Sequence, residues 1–93
     1  LIHSKQEALL RKNLPNEWKV LDTELIINNL KNQTLIDDEI LSILINSKDA
    51  EIRNALAENK NTPRMYLDKL LNDRFYWIRS SAQKTLDSLA LDI

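Results

Sequence analysis

The sequence predicts an all-α fold in which short helices stack in pairs. Three observations carry that expectation. Leu and Ile number 17 and 10 against one Val, a balance that favours helix over sheet. Apolar residues recur at three- and four-residue spacing between breaks built from Asn, Asp, Ser and Lys. The chain also matches itself when slid by 26 residues.

The elements follow in order. Ser4, with Glu7 three residues on, fits a capping box ahead of Ala8, Leu9 and Leu10. Leu14-Pro15 ends that helix, because the residue before proline avoids the α region. Asn16 can cap a second through Trp18 and Leu21, and Asp22 or Thr23 a third carrying Ile26, Ile27 and Leu30. Asp37, Asp38 and Glu39 precede a fourth, with Ile40, Leu41, Leu44 and Ile45; acids in a first turn suit the helix dipole. Past Asn46-Ser47-Lys48, Asp49 caps a fifth with Ile52, Ala55 and Leu56. The break Glu58 to Asn61 leads to Thr62-Pro63. Thr reads there as the cap and Pro as a first-turn residue whose missing N–H is not needed. Leu67, Leu70 and Leu71 form the apolar face of this sixth helix. Asn72-Asp73-Arg74 then breaks the chain before a last helix with Ile78, Ala82, Leu86 and Leu89.

Self-comparison groups these helices. At a step of 26, Ile26, Ile52 and Ile78 coincide, as do Leu30, Leu56 and Ala82, and Arg53 meets Arg79. Leu41, Leu44, Ile45 and Asn46 meet Leu67, Leu70, Leu71 and Asn72, and Trp18 falls on Leu44. The chain divides into capping helices over 1–22 and units over 23–48, 49–74 and 75–93. A helix of about ten residues is marginal alone, so each unit must bury its stripe against its neighbours, as in an α-solenoid.

The stretch Ile52-Arg53-Asn54-Ala55-Leu56-Ala57-Glu58-Asn59-Lys60-Asn61-Thr62-Pro63, followed by Leu67, Leu70, Leu71 and Asp73, resembles the leucine-rich repeat variant, a bacterial repeat similar in style to HEAT and armadillo repeats. The resemblance covers roughly 23–90 and is best in the second unit. It implies alternating α- and short 3₁₀-type helices in a right-handed superhelix. Lys60 stands where that family favours Pro, and Gln33-Thr34-Leu35-Ile36 replaces its Asn-Thr-Pro. Bilin-lyase-type and DNA-glycosylase-type HEAT repeats are weaker resemblances through Asp49, Ile52 and Arg53.

Composition narrows the chemistry. The 93 residues include no cysteine, which excludes a disulfide framework, a zinc ribbon and a thiol-ligated iron–sulfur cluster, including the cluster of that family's founding member. The absence of glycine excludes a P-loop, a dinucleotide fingerprint and a nucleophile elbow. Thirteen Lys and Arg against 14 Asp and Glu leave a net charge of −1, and the interleaved acids argue against nucleic acid as the partner. Apolar runs such as Leu25-Ile26-Ile27 are too short to span a membrane, and with no signal peptide the chain reads as cytoplasmic. It begins at Leu1 rather than Met, which reads as a piece of a longer protein.

Few residues stand out chemically. His3 is the one histidine and has no nucleophile tied to it, and Ser47, Ser80 and Ser81 have no base beside them. No cofactor, metal or catalytic group is expected, and the chain reads as non-enzymatic. Arg53 and Arg79 read as a structural ladder, with Asp49 four residues before Arg53 and Asp73 across the turn from Arg79. Phe75-Tyr76-Trp77 holds three of the five aromatics; Trp77 aligns with Leu25 and Glu51, a position that tolerates charge and so reads as partly exposed. Flanked by arginines, that run has the composition of an interface hot spot. Arg74, Tyr76, Trp77 and Arg64 are the candidate contacts to another protein; the alternative readings are nucleic-acid binding on a basic stripe and an accessory subunit of a ligand- or cofactor-handling enzyme. Leu86, Leu89, Leu91 and Ile93 are apolar for a last helix, which suggests a homodimer through exposed ends.

Overall fold

In the computed structural model the residues described are 14, 18, 23–32 and 36–91, and among them the regular structure is entirely helical. The helices are α1 (Thr23–Asn32), α2 (Asp38–Leu44), α3 (Ala50–Glu58), α4 (Arg64–Leu70) and α5 (Tyr76–Leu91). The capping box at Ser4 and most of 1–22 lie outside the described residues, although Leu14 and Trp18 are both buried in the core.

The two seven-residue helices are α-helices, not the 3₁₀ turns the resemblance implied. Each has i→i−4 bonds: Leu41 N–H to the Asp37 carbonyl and Ile45 to Leu41, then Leu67 to Pro63 and Leu71 to Leu67. Their last turns tighten to i→i−3, from Asn46 and Ser47 in α2 and from Asn72 and Asp73 in α4, and α4 also opens with one from Tyr66 to Pro63. These bonds fall at the same positions 26 residues apart.

α3 packs against α1 on one side and α5 on the other. Thr23 Oγ1 donates to Asp49 Oδ2 at 2.7 Å, joining the starts of α1 and α3. Asn59 Nδ2 donates to the Leu30 carbonyl at 2.7 Å, joining their ends. Like ends meet, so the two helices run in the same direction. α5 continues the layer: Thr85 Oγ1 donates to the Ala57 carbonyl at 2.6 Å. Ile26, Ile52 and Ile78 are fully buried along this layer. α2 and α4 meet at their starts, where the Tyr66 hydroxyl donates to Asp38 Oδ1 at 2.7 Å. That hydrogen bond, burial and the Asp38 charge all hold the Tyr66 hydroxyl above the usual tyrosine range.

Asp49 caps α3 as its position suggests, accepting from the Glu51 N–H at 3.0 Å. Thr62 does not cap α4. Pro63 occupies the cap position, and Thr62 Oγ1 reaches back to the Leu56 carbonyl at 2.8 Å. The competing demand is the end of α3, where the Leu56 carbonyl otherwise has only a 3.3 Å bond from the Asn59 N–H. Thr62 is itself buried. Thr62→Val, close in shape, is therefore expected to lose about 0.5–1.5 kcal/mol in urea unfolding, because the Leu56 carbonyl then keeps only the longer bond from the Asn59 N–H. A loss within error of zero would contradict this role.

Candidate functional site

The site begins with a missing cap. Phe75 stands immediately before α5, as Asp49 stands before α3; Thr23, at the matching register position, opens α1. Asp73 compensates from two residues upstream, its Oδ1 accepting the Phe75 N–H at 3.1 Å. Its Oδ2 takes Arg53 Nε at 2.8 Å, and both side chains are nearly buried, at 11% and 7% exposure. Arg53 Nη1 also donates to the Ser47 carbonyl at 2.7 Å. The Asp73 carboxyl is lowered: burial pushes it up, but the Arg53 and Phe75 hydrogen bonds and the charges of Arg53 and Arg74 outweigh that.

This pairing corrects the one read from spacing. The carboxylate on Arg53 is Asp73, 20 residues on, not Asp49, which is held by Thr23 and the Glu51 N–H. Arg79 does bond across its turn, but through the Asp73 carbonyl, with Nη1 at 2.7 Å.

The pair also orders the aromatics. The Arg53 guanidinium lies 5.8 Å from the Phe75 ring centroid and that of Arg74 lies 5.2 Å from it. Phe75 in turn stacks on Trp77, with centroids 5.8 Å apart and planes 26° apart. Trp77 remains 38% exposed and Tyr76, on the first turn of α5, 74%. The result is a preordered aromatic and cationic patch on a rigid helix start.

No family model, curated protein or solved structure matches this chain.

Of the residues singled out from sequence, Arg74, Tyr76 and Trp77 gather at this helix start. Arg64 belongs to the exposed face of α4, where its ion pair is a loose 3.9 Å contact with Asp68. Phe75, read from sequence as part of the aromatic run but not as a contact residue, is the ring that links Arg53 and Arg74 to Trp77. A shallow depression of about 250 Å³ lies elsewhere, lined by Lys31, Ala55, Glu58, Asn59 and Lys60. Among the described residues no three His, Cys, Asp or Glu converge as metal ligands, and no helix is long and apolar enough to cross a membrane.

Proposed function

We infer that this chain is a non-enzymatic helical-repeat module that binds another protein through the start of α5. The architecture proposed is a right-handed solenoid of variant leucine-rich or HEAT-like repeats. Supporting it are the 26-residue recurrence of turn hydrogen bonds and buried isoleucines, and extents of 41 × 26 × 20 Å.

One observation carries the binding role: the Phe75–Trp77 stack is preordered by two guanidinium groups yet left half open beside a 74%-exposed Tyr76. Rings that served only to close the core would be covered. Tyr, Trp and Arg dominate the few residues that carry most interface energy, and preordered rings lose little entropy on binding.

Photo-crosslinking in the source cells tests this. A benzoyl-phenylalanine placed at 76 or 77 is expected to capture one common protein, which positions 31 and 58 do not. Folded Tyr76→Ala/Trp77→Ala protein carrying the crosslinker at 74 should lose that capture. Equal capture from all positions, or full retention in the double variant, would sink the reading.

A further inference from the structure

The outer face of α5 presents, at the surface, the same register positions that α3 uses to receive its neighbour. On α3 these are Ala50, Arg53, Asn54 and Ala57, of which Arg53 and Ala57 are buried and the other two partly covered. Three contacts with the α5 segment close that face. Asp73 takes Arg53 Nε, Phe75 lies under the Arg53 guanidinium, and Thr85 donates to the Ala57 carbonyl.

Twenty-six residues on, the matching positions of α5 are Tyr76, Arg79, Ser80 and Gln83, and all four are exposed. Arg79 is set as Arg53 is set. Each donates Nη1 at 2.7 Å to the carbonyl six residues earlier, Ser47 for Arg53 and Asp73 for Arg79. For Arg53 the rest of the fork is filled by a carboxylate; for Arg79, among the described residues, the Asp73 carbonyl is the one acceptor. The surroundings have the complementary charge. Arg74, Arg79 and Lys84 are exposed on this part of the chain, and its one acid before Asp87, Asp73, is neutralised by Arg53.

We propose that this face, centred on Arg79, binds a second polypeptide through an aspartate-x-aromatic turn at the start of a helix, seated as the Asp73-Arg74-Phe75 turn is seated on Arg53. The proposal rests on reading this end as a binding surface and adds the partner's chemistry. The carboxylate completes the guanidinium fork, the aromatic ring lies against its plane, and the following helix covers Ser80 and Gln83. A planar fork is what lysine lacks, so the site discriminates on geometry as well as charge.

The test uses the full chain, labelled with ¹⁵N, and a synthetic peptide of residues 70–91 as the probe. The peptide is expected to shift the Arg79 Nε–H and the amides of Tyr76, Ser80 and Gln83. Asp73→Asn in the peptide should weaken binding by about tenfold or more, since charged hydrogen bonds are lost. Arg79→Lys in the chain should weaken it less than Arg79→Glu, which should abolish it. Circular dichroism confirms that both variants fold. No shift at Arg79, or equal binding by the Asp73→Asn peptide, would overturn the proposal. So would a dimer of the chain alone that Arg79→Glu dissociates and the peptide does not compete with, because a second copy would then own the face. The crosslinking result at Tyr76 and Trp77 is read separately, so either idea can fail while the other stands.

Discussion

Arg53→Ala is expected to destabilise the chain by about 3–5 kcal/mol, the usual cost of removing one partner from a buried ion pair. The change strands the Asp73 carboxylate, which is only 7% exposed, and removes the donor to the Ser47 carbonyl. A small domain has about 5–15 kcal/mol in total, so much of its stability would go. Urea unfolding followed by circular dichroism measures this directly. Removing both charges should cost far less than the single change predicts: Arg53→Met with Asp73→Leu keeps apolar volume and leaves no lone charge. A double variant as unstable as Arg53→Ala would mean that packing, not charge, dominates here. Acid reports on the same pair. Asp73 is lowered in the folded state, so its contribution is present above the ordinary carboxylate range and disappears as pH falls through its folded value. Stability should therefore drop below about pH 4, and Asp73→Asn should flatten that drop.

Ile52→Ala is the second large effect, at about 2–5 kcal/mol. Ile52 is fully buried on α3, the helix with α1 on one side and α5 on the other. The cost of a cavity depends on how far the surroundings can close over it. Among the described helices, α3 is the one held between two others of the layer, α1 and α5. Among Ile26→Ala, Ile52→Ala and Ile78→Ala, the Ile52 variant should therefore have the lowest urea midpoint. Equal midpoints would indicate that the three positions are equally constrained.

What could be read from the chain alone follows from the range of each interaction. Helix positions and breaks from Asp38 onward are set by local spacing and caps, and Asp49 is a cap in both readings. Partners across the layer are not local. Arg53 pairs with Asp73 on the far side of a whole helix, and sequence offered the nearer Asp49 instead. Thr62 carries an ideal cap signal, yet its hydroxyl serves the helix behind it. Thr85 carries no signal of its own in the sequence, yet it is buried and donates across the layer to the Ala57 carbonyl. Tyr66 is buried where Ile40 is buried, so the 26-residue register could have found it. That same register did place Trp77 correctly, since Glu51 at the matching position is also exposed.

Hydrogen exchange at the two arginine Nε–H groups of the free chain separates a covered repeat face from an open one. Arg53 and Arg79 hold matching register positions and differ in whether a neighbour's carboxylate covers the fork. The expected result is a protected, slowly exchanging Arg53 Nε–H that Asp73→Asn exposes, beside a rapidly exchanging Arg79 Nε–H. Equal protection of the two, or an Arg53 signal indifferent to Asp73→Asn, would contradict it.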